Sequence, residues 1–290
     1  MGYKKLSKEQ ELQLVQEYIN GVAVTVLMDK YGFKTKKSII DKVKKYYPNT
    51  YKELIDQARE NRKEYSYHLK TIKNQFDAYY LGLLLTDGYI SRNTDIGIDL
   101  TDEDCIAYLS KIIGKKYKAY EQKDGQKTKY RLIISNKEMV KDLERLGVTP
   151  NKSYTVKGPQ LTKEEEKFIP YILRGIIDGD GCVSPTSAGS AQFYIVTMSD
   201  NFKDWLVDIL ENKLFMIDIH VKQNEFGLWR IETANQHNIL KLISLVYDRP
   251  FGMNRKYTLL RKTFRDYNKD VLLEDDGIVQ TTTEISGSGN

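Results

Sequence analysis

The chain has 290 residues, of which 40% are hydrophobic, 29% are charged and only 6 are proline, so the composition predicts globular domains and argues against a disordered chain. Its two cysteines have no metal-like spacing, no apolar run reaches membrane-spanning length, and the first residues carry no apolar signal stretch. We therefore expect an intracellular protein that is not secreted and has no membrane partner. Its setting would be the cytoplasm of a bacterial or phage-infected cell, or an organelle.

The net charge of +5 is unevenly distributed along the chain. Residues 1–70 contain 15 Lys and Arg against 9 Asp and Glu, and residues 71–265 contain 29 against 25. Residues 266–290 contain 1 against 6, which predicts a flexible acidic tail over 269–290. The tail therefore masks two basic regions of the kind that a polyphosphate partner requires.

Three helices are predicted in the first fifty residues. The first begins with Ser7 and Gln10, a capping pair, and would bury one face. That face is formed by Leu12, Val15 and Ile19. A second helix spans 22–31, Gly32 makes a turn, and a third helix covers 35–47. The inward face of the third would contain Ile39, Val43 and Tyr47.

The third helix is basic on its outer side, where Lys36, Lys37, Lys42 and Lys45 lie. A helix, a short glycine turn and a basic helix form the pattern of a helix-turn-helix, whose second helix enters the major groove of DNA. We predict that residues 1–66 form such a module with a helical connector, and that Lys36, Lys37 and Lys42 contact DNA. The alternative is a small helical bundle with a solvated lysine face.

From about residue 75 onward the chain repeats itself. Four segment pairs match in order, with offsets that grow from 93 to 103: 81–88 with 174–181, 101–113 with 198–210, 130–136 with 229–235, and 151–155 with 254–258. A second copy with slightly longer loops explains the growing offset. We predict two tandem units, 67–158 and 159–268.

Each unit begins with a helix that is apolar on nearly every side and so must be buried all round. Alternating apolar and polar residues then predict strands, for example over 95–100, 129–134 and 217–222. Each unit therefore has the order helix, hairpin, helix, hairpin, helix, with one apolar and one polar sheet face. The predicted fold class is α+β: pseudo-twofold tandem αββαββα units behind a small all-α helix-turn-helix domain.

The two apolar helices carry small residues four apart, namely Gly82, Thr86, Gly175 and Gly179. Small residues at this spacing let two helix backbones approach closely, so we expect the two helices to pack against each other. Asp87 and Asp180 end the helices, and the following Gly88 and Gly181 suit a left-handed stop. Parallel packing would bring the two carboxylates together.

Two carboxylates at negative helix ends repel each other and raise each other's pKa. A divalent cation would relieve that repulsion, and Mg²⁺ prefers carboxylate oxygen, water and phosphate oxygen. We therefore predict that Asp87 and Asp180 are catalytic and hold Mg²⁺, or another divalent cation such as Mn²⁺, for phosphodiester cleavage. The alternative for each is a solvated residue in an ordinary Asp-Gly turn.

The two segments resemble the paired signature helices of LAGLIDADG homing endonucleases, in their single-chain form with two motifs. The second copy, 173–181, is close to the pattern; the first, 81–88, departs from it at Gly82, Leu85 and Thr86 but keeps Asp87. The resemblance covers about residues 71–268. It implies a saddle of strands that grips a long DNA site in the major groove. It also implies that Mg²⁺ is held by Asp87 and Asp180, that each active site cuts one strand and leaves short 3′ overhangs, and that intron homing is the biological role.

Family members often place a lysine near the end of the second hairpin to polarise the scissile phosphate, but here the matching positions are 135–136 and 234–235, which lack lysine. The nearest repeat-matched cations are Lys152, Arg255 and Lys256, which we take as candidates for that role. Contact with DNA is predicted for cations of the polar sheet faces, namely Arg131, Arg230, Lys127, Lys129 and Lys222. The alternative for these is a solvated sheet surface.

These patterns predict a monomeric, Mg²⁺-dependent endonuclease that cleaves one long, asymmetric site in double-stranded DNA. Two alternatives share the fold. One is a transcription regulator that binds DNA without cutting it. The other is an intron maturase, whose basic saddle would hold structured RNA.

Overall fold

The computed structural model describes residues 6–64, 67–121, 127–150 and 152–268, and the pairs 273–274 and 277–278. The chain forms two compact units, one ending at His68 and the other beginning at Leu69. The predicted flexible tail, 269–290, lies outside the described residues except for its two short strands, β9 and β10, which pair in antiparallel fashion: Leu273–Glu274 and Gly277–Ile278. Among the described residues, no helix has the length and apolar character needed to cross a bilayer.

The first unit is a bundle of four helices: α1 Lys8–Ile19, α2 Val24–Tyr31, α3 Lys36–Tyr46 and α4 Tyr51–Glu64. Ser7 and Gln10 form the predicted reciprocal capping box at the start of α1. Gly32 ends α2 with φ of 73°, a left-handed conformation that an L side chain would strain. The sequence of helix, glycine turn and basic helix is therefore present.

The core of this unit differs from the predicted one in two places. Leu12 is 41% exposed and Tyr47 is 38% exposed, because the buried face of α1 turns toward Leu14 and Tyr18 and α3 ends before Tyr47. The segment expected to be only a connector also joins the core, since α4 buries Ala58 among the other helices. The first unit thus closes its core with a fourth helix.

The first repeat of the second unit follows the predicted order. Its elements are α5 Gln75–Thr86, β1 Gly88–Ser91, β2 Asp95–Leu100, α6 Glu103–Ile113, β3 Lys118–Tyr120, β4 Lys129–Ser135 and α7 Lys137–Arg145. A one-turn helix, α8 Lys152–Thr155, ends it. The sequence predicted these elements except the division of the last helix into α7 and α8.

The second repeat has the same order after a one-turn helix, α9 Lys163–Glu166. Its elements are α10 Ile169–Asp180, β5 Gly181–Pro185, β6 Ala191–Thr197, α11 Asp200–Asp208, β7 His220–Gln223, β8 Trp229–Thr233, α12 Gln236–Lys241 and α13 Asn254–Tyr267. Two π-helical turns, Ile209–Lys213 and Leu242–Val246, extend α11 and α12. Each adds a wider turn where the first repeat has none described.

Each repeat builds one four-stranded antiparallel sheet, in the orders β1-β2-β4-β3 and β5-β6-β8-β7. Ile96, Ile98 and Leu132 lie on the buried face of the first sheet, as the alternation predicted. The predicted α+β class with two αββαββα units is confirmed. The strand predicted over 217–222 is shorter than expected and begins at His220; all four of its residues are exposed because it forms the sheet edge.

The core between the two repeats is formed by α5 and α10. Residues 76–86 of α5 are buried throughout, as expected for a helix without a polar face. Asn74 caps the start of α5 by accepting hydrogen bonds from the amides of Phe76 and Asp77, both at 2.9 Å. This buried pair of helices sets the positions of the residues that follow them.

Candidate active site at the paired helix ends

The close approach of α5 and α10 depends on the small residues of both helices. A Cβ atom at Gly82 would lie 2.8 Å from Gly175 Cα, and one at Gly179 would lie 2.0 Å from Thr86 Oγ1. No real side chain fits at such distances, so the helix backbones touch at Gly82 and Gly175, and Thr86 packs into the space left at Gly179. The structure thus brings all four predicted packing residues into one interface.

This interface places Asp87 beside the end of the opposite helix. A Cβ atom at Gly179, the residue before Asp180, would lie 2.8 Å from Asp87 Oδ2. The Asp87 amide caps α5 by donating to Leu83 O at 2.9 Å, which fixes the point where the side chain leaves the helix. The two predicted acids therefore come from matched helix ends, and Asp87 lies across the helix interface from the residue before Asp180.

The glycines after the two acids do not adopt the left-handed conformation that the sequence suggested. Gly181 is extended, with φ of −83°, and a Cβ atom there would lie 2.5 Å from Ile177 O. A Cβ atom at Gly88 would likewise lie 2.6 Å from Leu84 Cα. Glycine is needed at both places because each strand starts directly against the last turn of its helix.

Both carboxyl groups are electrostatically strained. Burial, and then repulsion by Asp180, raise the pKa of Asp87 from 3.8 to about 6. The Asp180 side chain is more exposed than that of Asp87, but the surrounding protein still removes enough water to raise its pKa. The charges of Lys152 and Lys256 act in the opposite direction and only partly offset this rise. The charged forms of the two acids are therefore held in a place that disfavours them.

A cavity of about 280 Å³ opens beside the acids. Its lining combines charged and polar groups with apolar ones, and comes from both repeats: Leu85, Thr86, Lys152, Val156, Asp180, Val196, Thr197, Met198, Phe202 and Leu228. Lys152 and Asp180 thus face the same space. Burial lowers the pKa of the Lys152 ammonium, whereas Asp180 and Asp87 attract and stabilise its charge.

The donor chemistry of this site fits a hard divalent cation. Both carboxylates have raised pKa values, and a cation held by them would relieve the repulsion that Asp180 exerts on Asp87. Within the described part of the chain, no group of three or more His, Cys, Asp and Glu side chains could hold a metal. A site with two carboxylates suits Mg²⁺, which keeps several waters and takes substrate phosphate as a further ligand.

The other two predicted cations are already engaged. Lys256 is only 5% exposed, and its ammonium donates to backbone carbonyls at the end of α10: those of Ile177, Asp178, Gly179 and Gly181. Arg255 donates to both Asp102 carboxylate oxygens, at 2.6 and 3.2 Å. Lys152 donates to Leu85 O at 3.2 Å, and Lys256 donates to the carbonyl of Asp178, which matches Leu85 at the offset of 93. Lys256 therefore occupies the place of Lys152, although the offset of 103 pairs Lys152 with Arg255 in the sequence.

A buried polar network behind the site was not predicted. Asp178 is fully buried and accepts hydrogen bonds from Tyr79 and Tyr247 hydroxyls at 2.8 and 2.7 Å, and from the Met253 amide at 3.2 Å. Arg174, also fully buried, stacks its guanidinium on the Phe251 ring, 3.6 Å from the centroid. A signal existed in the sequence, because an arginine and an aspartate four apart interrupt an otherwise apolar helix.

The predicted DNA-contacting arginines lie on the polar sheet faces, and each is paired with an acid and a tyrosine. Arg131 donates twice to Asp99, at 2.8 and 2.6 Å, with its guanidinium 4.7 Å from the Tyr120 ring centroid. Arg230 donates to Glu232 at 2.5 Å, with its guanidinium 3.7 Å from the Tyr194 ring centroid. The same three side chain types thus occur together in each sheet, although the acid lies on the neighbouring strand in the first sheet and on the same strand as the arginine in the second.

The predicted lysines of the second unit have different surroundings. Lys222 also donates to Glu232, at 3.0 Å, and its side chain is 70% exposed. Lys127 is exposed just before β4, and Lys129 is half-buried at the start of that strand. Of these two lysines, Lys127 is therefore the more accessible to a DNA phosphate.

In the first unit, Lys36 and Lys37 are exposed in the first turn of α3. Lys42 instead donates to the buried carboxylate of Glu11, which Lys45 and Tyr46 also contact, at 2.6 and 2.7 Å. These hydrogen bonds, the one from Lys42 first, lower the pKa of Glu11 to about 2. Lys42 thus holds α1 against α3, which leaves Lys36 and Lys37 as the exposed members of the predicted set.

Two of the three comparisons with known proteins found no match: no family model matches the chain, and no curated protein matches it.

Solved structures do resemble the chain over part of its length. Full-length DUF199/WhiA from Thermatoga maritima matches with 12% identity and a TM-score of 0.46, over 71% of this chain and 66% of that protein. The LAGLIDADG meganuclease I-AabMI, bound to uncleaved DNA, matches with 13% identity and a TM-score of 0.44, over 68% and 91%. I-SmaMI, bound to an uncleaved DNA target in the presence of calcium ions, matches with 13% identity and a TM-score of 0.42, over 69% and 93%.

Proposed function

We propose that this chain is a metal-dependent, site-specific endonuclease of double-stranded DNA, of the LAGLIDADG homing type. The observation that supports the proposal is the position of Asp87 and Asp180 at the ends of two matched helices, with Asp87 Oδ2 beside Gly179, the residue before Asp180. Without a partner, these acids would only destabilise the fold, because burial and repulsion raise the pKa of Asp87 to about 6. In a site that binds a divalent cation, the two acids would instead serve as its ligands.

In this proposal Asp87 and Asp180 hold Mg²⁺, or Mn²⁺, through carboxylate oxygens. When bound, the cation lowers the pKa of a water molecule and offsets negative charge on the phosphate. Asp180 faces the cavity that a phosphate would enter, and Lys152 stands at the same cavity with its ammonium. Charged hydrogen bonds from such a donor stabilise the extra negative charge of the transition state.

The polar faces of the two sheets would bind the DNA, with Arg131 and Arg230 at matched positions. The two faces differ at most positions, for example Gly97 in the first sheet against Tyr194 in the second, so the target would be asymmetric. Lys36 and Lys37 of the first unit would extend the contact. Because one chain supplies both acids, a monomer is sufficient.

The proposal is tested by selecting cleaved sites from random or host-genomic DNA with the full chain and Mg²⁺. Recovery of one long asymmetric site is expected. On that site, Asp87→Asn and Asp180→Asn should each abolish double-strand cutting while binding stays within a few-fold, because only the acidity of the helix end changes. Asp204→Asn, at an exposed position of α11, is the matched control and should cut normally. Normal cutting by both site variants would refute the assignment.

A second candidate is a regulator that binds DNA without cutting it. It is favoured by the engagement of Arg131, Arg230 and Arg255 with acids of the same chain, together with the immobilised Lys256. The same DNA pool distinguishes the two functions. A regulator would enrich a bound sequence and leave it intact with Mg²⁺ or Mn²⁺ at any time point.

A further inference from the structure

The outer edge of the second sheet has an apolar rim. In the order β5-β6-β8-β7, β7 is the last strand, and within the described part of the chain its outer side pairs with no other strand. Phe215 and Ile217, which precede this strand, are 70% and 55% exposed, and Val221 within it is 38% exposed. We call these three residues, together with the free side of β7, the β7 edge.

The segment that carries Phe215 and Ile217 is held in place by its own repeat. Phe215 and Asp218 have φ of 50° and 53°, a left-handed backbone that bulky side chains rarely adopt. The amide and the carbonyl of Ile217 both form hydrogen bonds with the Asn238 side chain. The Phe215 carbonyl accepts another from Lys241 Nζ. The outward position of the two apolar side chains is therefore fixed by the fold.

The matching edge of the first sheet is protected by charge. There β3 is the last strand, and the segment leading into it contains Lys115 and Lys116, both exposed, before Lys118 in the strand itself. Lysines at an open edge hinder pairing with other strands, because an added strand would bury their charge. The second repeat has apolar side chains in this place, so its edge lacks this protection and suits an added strand.

The β7 edge restricts which strand would fit it. Val221 lies opposite the buried Ile231 and so belongs to the apolar face of the sheet. Lys222 lies opposite Arg230 on the polar face. Glu232 accepts hydrogen bonds from both of these cations, so one acid serves two positive charges. A fitting strand therefore has apolar or β-branched residues on one face and polar residues with an acid on the other.

The chain's own C-terminal stretch has this pattern. Residues 279–285, which lie outside the described residues, read VQTTTEI. Alternate residues of an extended chain share a face, and β-branched residues favour strands. One face would carry the β-branched set, Val279, Thr281, Thr283 and Ile285, and the other the polar set, Gln280, Thr282 and Glu284. An antiparallel second copy of β7 would instead place Lys222 opposite His220 or another Lys222, and would supply no acid.

The end of α13 brings this stretch close to the β7 edge. The Asn268 side chain donates to Gln236 Oε1 at 3.2 Å. The neighbouring Asn235 donates to Asp218 Oδ2 at 3.0 Å. The chain thus leaves α13 close to the segment that leads into β7. Residues 269–272, before β9, can span up to about 13 Å, which is roughly the length of a four-residue strand such as β7.

We propose that residues 279–285 add a fifth strand to the second sheet, paired with the free side of β7, and that they cover Phe215, Ile217 and Val221. Part of the tail would then be ordered, in contrast to the flexible tail expected from its composition. The added strand would shield this edge from pairing with other chains. The proposal does not depend on the endonuclease function, and its test uses neither DNA nor metal.

Hydrogen exchange measured by mass spectrometry tests the proposal on the full chain. The amides of residues 219–224 should exchange slowly there. In a chain that ends at Ile278 they should exchange about tenfold faster or more, because the outward amides of an edge strand would lose their partners. A synthetic peptide of residues 277–287 should restore slow exchange to the shortened chain.

Point changes in the full chain test the pairing itself. Adjacent amides of a strand point to opposite sides, so Thr281→Pro combined with Thr282→Pro removes a donor toward β7 in any register. This double change should speed the exchange of residues 219–224 as much as the shortening does. Ser288→Pro combined with Gly289→Pro lies beyond the proposed strand and is the matched control, which should exchange like the wild type.

Two results would overturn the proposal. One is equal exchange of residues 219–224 in the full and the shortened chain. The other is protection that survives the shortening and rises with protein concentration, since a second copy would then occupy the edge.

Discussion

Asp178 shows how one residue can serve the site without lining it. Its carboxylate joins Tyr79 of α5 to Tyr247 and Met253, which precede α13, and α13 carries Lys256 to the end of α10. Leu85 occupies the matching position in α5, so the two repeats need different residues at one place. Asp178 therefore joins α10 to α5 and to the segment before α13, a set of hydrogen bonds that the Leu85 side chain cannot make in the first repeat.

Replacing this acid gives a test of its role in stability. Asp178→Leu should lower the free energy of unfolding by about 3–5 kcal/mol, because it leaves the buried hydroxyls of Tyr79 and Tyr247 without their acceptor and removes a charge that attracts the buried Arg174 guanidinium. Urea unfolding measures the loss. Asp204→Leu, at an exposed acid, should stay within about 0.5 kcal/mol of wild type. A loss below 1 kcal/mol at Asp178 would show that the network adds little.

Asp87 predicts a pH dependence of stability in metal-free buffer. Its folded pKa of about 6 exceeds the ordinary value of 3.8, so the folded state binds more protons between these pH values. Stability should thus fall as pH rises from 4 to 6 and remain lower above. Asp87→Asn should be more stable than wild type by up to about 3 kcal/mol at pH 8 and no more stable below pH 4. An equal difference at both pH values in urea unfolding would contradict this.

Among the elements, α5 and α10 pack so closely that their glycines leave no room for a side chain. A Cβ atom at Gly175 would lie 2.2 Å from Tyr79 O and 2.8 Å from Gly82 Cα, and both are backbone atoms that cannot move aside. Gly175→Ala should therefore cost about 3 kcal/mol in unfolding free energy. Gly189→Ala is a useful comparison, because that residue has φ of +84° but no atom within 4 Å of an added Cβ.

The comparison separates crowding from backbone strain. A left-handed conformation costs an alanine about 1–2 kcal/mol, so Gly189→Ala should be the milder change. Similar losses for both variants, measured by urea unfolding, would mean that the two helices can move apart at little cost.

The sheet faces give a prediction about recognition. An arginine held by an acid should read a guanine and avoid a phosphate, because the acid repels a phosphate but leaves the outer guanidinium hydrogens available. Arg131→Gln and Arg230→Gln should each relax base preference at one position, by about 1–3 kcal/mol, with little change in salt dependence. Lys127→Gln should instead weaken binding to all sequences and lower the salt slope by about one. The reverse pattern in binding selections would reassign the arginines to phosphate.

Most helices and strands were predictable because the spacing of apolar residues and the capping and turn residues indicated the same element boundaries. The apolar helices, the capping box at Ser7 and the strand alternation over 95–100 all follow from local rules. Neighbours decided the remainder. Leu12 faces solvent because α4 completes a core on the other side of α1, and the edge position of β7 leaves Val221 exposed.

The candidate site was predictable only in part. The two acids and the small residues could be found because the repeat displays each twice. The states of the cations could not, since whether a lysine meets carbonyl oxygens or open space depends on the distance between α13 and α10. The Asp178 network links α10 to the segment before α13, whereas Leu85 stands at the matching place in the first repeat.

The division of the chain into two compact units predicts separable functions. Removing residues 1–66 should leave the second unit folded, because all elements of both repeats lie beyond Leu69. We expect weaker DNA binding and a shorter protected footprint, since Lys36 and Lys37 would be lost. Footprinting on the selected site measures both. The double change of Lys36 and Lys37 to Gln in the full chain should weaken binding to a similar degree, and a footprint of unchanged length after truncation would exclude the first unit as a DNA reader.

The contact between Gly179 and Asp87 limits how the two repeats can be exchanged. A residue of one half forms part of the wall around the acid of the other, so neither acid has an environment that belongs to its own half alone. If one repeat were joined to a repeat from another protein, the packing of α5 against α10 around Asp87 and Gly179 would no longer fit. A chimaera designed for a new target would therefore have to keep α5 and α10 as a pair and exchange only the sheets.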